Sequence, residues 1–438
     1  MSSCGMTRNG KSRSHGPAIS IGIVRRVGLS PASRLKRRKD RRCRDMDESG
    51  VKIEVHLIQN FVPSSLNRDD TGQPKSAYFG GFRRARISSQ CIKRAVREWW
   101  RENNSVTLGE RTKKLQQLIK DELAKDADFM AKVKSEDDLI QRVRNFTDSF
   151  YAAADKKIPE NTNVLVFISR EEVEACARLV KELWGELKNT IKDDKKNKQN
   201  VELVSSQIKS ASASGDIAMF GRMLAEHPDR NTDGACQVAH AISTHRVDME
   251  IDFYTAVDDL NPEEETGAGM MGIIGYNSAC YYRYAVVDRD QLARNLARKT
   301  ERKNGAWSQG LDPEDYKDAD AIIKAFLEAL VFAVPTGRQN SFAARNLPSF
   351  GLFIRRQGGV PISLANAFAK PVWPKREGDD LVHMSVEAMI KHWDDIRTKY
   401  DDQGLKAASC FQVGLAAVPD SVKKYEKESV QKAIGAVL

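Results

Sequence analysis

Val51, Ile53, Val55 and Leu57 alternate with polar residues and specify a half-buried β-strand. A long helical stretch separates this strand from the remaining β pattern, which narrows the possible folds sharply. A polar, turn-rich segment, 63–75, and the pair Gly80-Gly81 lead into a helix starting near Ser88. From Arg97 to about Ile208 the pattern is almost entirely helical, with one strand candidate at 164–168 and a charged, Lys/Asn-rich loop at 192–200. β character returns at 216–220, 247–257 and 276–287. Helices at 318–333, 383–399 and 420–436 then alternate with strand candidates at 350–355 and 407–415. One strand, a long helical excursion, and alternating strands and helices predict an α+β fold with helices on one face of the sheet. The excursion, 97–205, reads as a helical insertion into a body made from 46–96 and 206–438. The sequence has no internal repeat, and no apolar run approaches the roughly 18 residues that span a bilayer, so no membrane partner is expected.

Charge is distributed unevenly. The 438 residues carry 70 Lys+Arg against 60 Asp+Glu, a formal +10. Residues 1–45 hold 13 of the basic side chains and only Asp40 and Asp45 as acids, which leaves 57 basic and 58 acidic residues from Met46 onward. Bulk charge therefore says nothing about what the body binds. The Arg/Ser-rich stretch 1–45 has the composition of a mitochondrial targeting peptide, but a disordered basic tail, or translation assigned upstream of a start at Met46, is the expected reading. The apolar run 18–24 is too short and interrupted for a secretory signal. The seven cysteines are scattered, odd in number and never in CxxC spacing. That pattern suits free thiols in a reducing cytoplasm and argues against a zinc knuckle or a disulfide framework.

The densest chemistry lies in residues 79–101. Ser88 or Ser89 is a suitable N-cap, with a hydroxyl to accept from first-turn amides. At 100° per residue Gln90, Lys93, Arg94, Arg97 and Arg101 share one helical face, and Ile92, Ala95, Val96 and Trp99 the opposite one. Arg83, Arg84 and Arg86 lie just upstream. Between Phe82 and Arg101 only Glu98 offsets seven basic residues, inside a body of net −1. A helix N-terminus, hydroxyls and guanidinium forks converging over a few turns would hold phosphates, and would do so without reading bases. The competing reading is an ordinary solvated helix face, and the local concentration favours phosphate binding over it.

Other motifs carry less. Gly267-Ala-Gly-Met-Met-Gly272 fits GxGxxG, but acidic residues precede it and a strand pattern comes after it, so a hairpin tip is expected rather than a dinucleotide loop. Ser206-x-x-Lys209 fits SxxK without a partner motif. His240 and His245 are five apart with no third ligand and read as packing or hydrogen-bonding residues. No metal site and no cofactor is expected.

Several segments resemble one family in order along 51–370. They are Asn67-Arg-Asp-Asp70, Phe79-Gly-Gly81, Arg86-Ile-Ser-Ser-Gln90 with Lys93-Arg94, and Ala239-His-Ala-Ile-Ser-Thr-His245. Asp252-Phe-Tyr-Thr-Ala-Val-Asp-Asp-Leu260, Tyr281-Tyr-Arg-Tyr284 and Leu364-Ala-Asn-Ala-Phe368 complete the set. Together they resemble CasC, the repeated backbone subunit of the type I-E CRISPR Cascade complex. The resemblance implies an RRM-like (ferredoxin-like) palm, a helical fingers insertion and a thumb β-hairpin at 247–285. It further implies copies stacked head to tail in a helical filament along a guide RNA, with other Cascade subunits as partners. Target DNA would be read by base pairing to the guide in antiviral defence, and the subunit itself would not be an enzyme.

By motif correspondence Arg68, Lys75, Ser88, Gln90, Lys93 and Arg97 would hold guide phosphates and riboses, with Arg86, Ser89 and Arg94 beside them. Arg222 and Met223, just after the 216–220 strand candidate, would flank a kinked nucleotide, and Phe253, Tyr254 and Thr255 would form the thumb wedge. The chain departs from the family at the thumb tip and around Arg338-Gln-Asn340. A rival reading, a metal-dependent ribonuclease using Asp69 and Asp70, stands against loop-ordering roles for these two acids.

Overall fold

The computed structural model describes residues 50–192, 197–211, 213–224, 227–256, 270–402 and 404–438. The basic stretch 1–45, part of the charged loop at 192–200, the hairpin tip and the first glycines of the GxGxxG motif lie outside the described residues.

The first strands are β1 (Val51–Ser64), β2 (Ser76–Phe79), β3 (Phe82–Ile87), β4 (Glu110–Thr112) and β5 (Val166–Ile168). Next in the chain are β6 (Cys236–Val238), β7 (Ala241–Ser243), β8 (Glu250–Ala256) and β9 (Met270–Asp288). The remainder are β10 (Arg302–Lys303), β11 (Ala306–Trp307), β12 (Phe350–Gln357) and β13 (Leu405–Gln412). Nine of them form one sheet in the order β13-β12-β1-β9-β7-β3-β2, with β6 and β8 also pairing with β9. Every strand pair in it is antiparallel.

β1 is an inner strand, between β12 and β9, and it is buried on both faces rather than half-buried. Val51, Ile53, Val55, Leu57 and Phe61 enter one core, while Ile58 enters another. The polar residues between them, Glu54 and His56, are also buried because each has a partner. Glu54 pairs with Arg356 at 2.5 Å, and His56 Nδ1 is 2.9 Å from the Tyr282 hydroxyl. Most buried polar groups are satisfied in this way. Helices consequently cover both faces of the sheet, not one. Against one face lie α1 (Ser89–Asn103) and helices of the C-terminal half. The Val166–Ile168 strand pairs with β4 beside a separate helical core built by α2 (Leu115–Leu123), α3 (Ala127–Met130), α4 (Glu136–Phe150), α5 (Arg170–Glu182) and α6 (Lys198–Ser210).

The stretch 216–220 is not a strand but the short helix α7 (Gly215–Phe220), which ends at Gly221 with φ +79°. A Cβ at 221 would lie 2.8 Å from backbone atoms of Thr232 and Gly234, so the turn requires glycine. Beyond β9 come α8 (Arg289–Ala297), α9 (Pro313–Phe332), α10 (Gln339–Phe342) and α11 (Leu381–Lys399). Residues of α8 and α9 join the first core, and α11 covers the opposite face through Val386, Met389, Ile390 and Trp393. The expected helix at 420–436 is two pieces, α12 (Asp420–Lys423) and α13 (Val430–Gly435), interrupted where Cys410 bridges to Glu426. Cys91, Cys176, Cys236, Cys280 and Cys410 are free thiols. Among the described residues no helix is long and apolar enough to cross a membrane.

Candidate nucleic-acid interface

The N-terminus of α1 is held by the loop before it. Ser88 is the cap, its Oγ accepting from the Cys91 amide at 3.4 Å, and its own amide donates to Asn67 Oδ1 at 2.8 Å. Lys75 N donates to the Asn67 carbonyl and Arg86 N to the Lys75 carbonyl, which ties the loop 67–75 to both β3 and α1. Inside the loop, Asp69 Oδ1 accepts from Thr71 N, Thr71 Oγ1 and Gln73 N at 2.7–3.0 Å. These bonds, the Thr71 hydroxyl foremost, hold the Asp69 carboxyl below its usual range. First-turn amides of α1 have no intrahelical acceptor, so Ser89 and Gln90 sit at the positive end of a fixed helix.

Basic side chains gather around this end. Arg68, Gln90 and Arg94 are exposed, Lys75, Arg86, Ser89 and Lys93 half-buried, and Ser88 is buried in its capping role. Arg68, Lys75, Arg83, Arg86 and Lys93 form no ion pair among the described residues. Arg86 Nη1 lies 3.0 Å from His240 Nδ1. Partial burial, then the Arg86 and Lys75 charges, lower the His240 pKa, so a neutral imidazole faces the guanidinium. Lys93 Nζ sits 5.4 Å above the Phe220 ring. Arg94 is paired with Glu98 at 2.7 Å, an exposed i,i+4 contact that a competing anion displaces at little cost.

Three of the arginines do not belong to this surface. Arg97 is expected on the outward stripe of α1, but its Nε bonds Asp216 at 2.7 Å and its Nη2 the Gly109 carbonyl at 2.9 Å, against the Phe167 ring. Arg222 is buried, bonded to Glu172, the Phe167 carbonyl and the Arg230 carbonyl. Arg84 is fully buried, donating to the carbonyls of Ser243 and Phe368. The apolar stripe also shifts by one position: Trp100, not Trp99, is the fully buried anchor, donating to the Ala325 carbonyl at 3.0 Å. Met223, beside Arg222, is 81% exposed. It lines a cleft of about 420 Å³ with Phe220 and Gly221, so Phe220 joins the Lys93 and Met223 neighbourhoods.

The hairpin of β8 and β9 carries the aromatic residues. Phe253 opposes Ile273, Thr255 opposes Met271 and Tyr254 opposes Gly272. Ile251, Phe253, Met271 and Ile273 are each about 60% exposed and, by strand alternation, share a face with Thr255. Tyr254 points to the other face and lies over Gly272, where a Cβ would sit 2.3 Å from its ring. At the hairpin base Gln73 occupies the space above Gly275, with its buried Oε1 unpartnered. The loop that carries Arg68 and Lys75 thus also packs on the hairpin. Gly272 lies within β9, which is incompatible with a dinucleotide-binding turn.

A second opening of about 580 Å³ lies between this loop, α1 and the segment before α10, lined by Arg68, Asp70, Arg94, Glu98, Gly337 and Arg338. Gln73 and the Arg86–His240 contact escape sequence reasoning, which marks Arg338 only as a point of departure from the family. His245 accepts from the Cys280 amide at 3.2 Å, in the hydrogen-bonding role expected of it. Among the described residues no group of three or more His, Cys, Asp or Glu is placed to hold a metal.

Fold and face define an α+β protein organised on one large antiparallel sheet, presenting an open cationic surface beside an apolar hairpin. The chain belongs to the Cas_CT1975 family of CT1975-like proteins, whose profile matches residues 53–435. It is similar to a chain of a "CRISPR RNA-guided surveillance complex, pre-nicking", with 25% identity, TM-score 0.70, and coverage of 88% of this chain and 100% of that one. A chain of a second "CRISPR RNA-guided surveillance complex" shares the fold, with 22% identity, TM-score 0.64, and coverage of 88% and 98%. No curated protein sequence matches significantly.

Proposed function

We propose that this chain is a CRISPR RNA-binding backbone subunit of a surveillance complex of the type I-E Cascade kind, the role of CasC. The sheet serves as an RRM-like palm, the helical core of α2–α6 as fingers and the β8–β9 hairpin as thumb. Copies stack along the guide in a helical filament in the cytoplasm, beside other Cascade subunits, and present the guide to target DNA. The observation that carries this reading is the set of cations Arg68, Lys75, Arg86 and Lys93, without carboxylate partners among the described residues, around the Ser88-capped helix terminus. Such a surface suits a polyanion backbone and reads no sequence. The apolar face holding Phe253 suits insertion between unstacked bases.

The subunit acts as a scaffold rather than an enzyme. Against the ribonuclease alternative stands Asp69, whose Oδ1 is engaged by three donors of its own loop. The test is coproduction with the partner subunits and a guide. RNA of uniform length should copurify, and RNA-free monomer under those conditions would overturn the reading. Metal-dependent cleavage lost in Asp69→Ala or Asp70→Ala would replace it with the nuclease.

A further inference from the structure

At the other end of β1 the charge pattern is reversed. Arg356, 1% exposed at its side chain, is paired with Glu54 Oε1 at 2.5 Å and with Asp402 Oδ1. Two carboxylates thus share one guanidinium. The remaining Glu54 oxygen is satisfied by the Ile362 amide at 2.8 Å and the Tyr284 hydroxyl at 3.2 Å. The neighbouring His56 contributes no charge, because burial, followed by the Arg356 charge, lowers its pKa to about 3. Asp402 is different. Its side chain is 6% exposed and its Oδ2 is buried with no hydrogen-bond partner among the described residues, an arrangement that is normally destabilising.

Asp402 lines a cleft of about 430 Å³ with Val360, Ile362, Tyr400 and Asp401. Tyr400 is 78% and Val360 73% exposed, and Asp401 is held at φ +46°. A buried, unpartnered acceptor, a second acid and an open aromatic ring therefore line one cleft.

We infer that this cleft receives an arginine side chain of a protein partner, its guanidinium over the Tyr400 ring and donating to Asp402 Oδ2. Guanidinium suits both features at once, since it stacks on aromatic faces and donates in a planar fork. A nucleic-acid strand is disfavoured by two carboxylates in the cleft. A metal ion would need more ligands than Asp401 and the free oxygen of Asp402 offer. This site is independent of the nucleic-acid reading and stands whether or not that reading does.

The test titrates full-length protein, without RNA, with acetyl-arginine amide, acetyl-citrulline amide and magnesium chloride, tracked by backbone amide NMR shifts. Saturable shifts at Ile362, Tyr400 and Gly404 with the arginine probe alone are expected, with millimolar affinity. Asp402→Asn should weaken it about tenfold, the loss of one charge-assisted hydrogen bond. Tyr400→Ala, at an exposed position that does not endanger folding, should weaken it about threefold. Equal shifts with citrulline, shifts only with magnesium, or arginine binding indifferent to Tyr400→Ala would each overturn the assignment.

Discussion

Arg97 Nε donates to the fully buried Asp216 carboxylate at 2.7 Å, fastening α1 to the start of α7. Asp216 Oδ1 is also bonded by the Gly109 amide and the Ser214 hydroxyl, so several chain segments meet at one acid. Arg97→Ala should therefore cost about 3 kcal/mol of folding stability, since it strands a buried charge. Urea denaturation of the free protein measures this. Unchanged stability with selective loss of RNA affinity would instead make Arg97 a ligand group.

Among the described residues Lys93 and Arg86 have no acidic partner to abandon. Replacing both by alanine should leave stability within about 0.5 kcal/mol. Affinity for RNA should fall about equally across guide sequences, and the salt dependence should flatten by about 0.7 per lost contact. A loss confined to particular sequences would argue that these residues read bases.

His56 links stability to acidity. Its pKa falls from 6.5 to about 3 on folding, so between those values the unfolded chain binds a proton that the folded chain refuses. Stability is thus fully present above about pH 6.5 and lost progressively as pH falls towards 3. At pH 5 the loss from this group is about 2 kcal/mol. His56→Gln should shrink the difference between denaturation midpoints at pH 7 and pH 5. An undiminished difference would place the acid sensitivity elsewhere.

Phe253 is 59% exposed on its hairpin, so Phe253→Ala should change stability by no more than about 0.5 kcal/mol. If the hairpin inserts into the guide, the same substitution should abolish the periodic pattern of reactive nucleotides seen on chemical probing of assembled RNA. An unaltered pattern would remove Phe253 from the wedge.

Much of this arrangement is legible in residue order. The alternation at 51–57 marks β1, and Ser88 with the basic run marks the capped helix. Periodicity cannot show that Glu54 and His56 are buried too, because their partners Arg356 and Tyr282 lie more than 220 positions away. The run Ile217-Ala-Met-Phe220 is apolar and short, a pattern helices and strands share. The turn at Gly221 and the packing of Phe220 on Trp100 and Phe326 go with the helix. Helical face selects Arg97 and motif selects Arg222, but charge sign alone does not distinguish a ligand from a residue matched to a distant acid. Asp216 and Glu172 are those acids.

The contact between Gln73 and Gly275 has an evolutionary consequence. Even an alanine at 275 would bring its Cβ within 1.7 Å of the Gln73 amide oxygen, so the end of the Gln73 side chain would have to swing off the hairpin to admit it. A lineage that enlarges 275 therefore re-aims a side chain on the loop that also presents Arg68 and Lys75. Substitutions at the hairpin base are thus felt at the cationic loop, which links how the two can diversify.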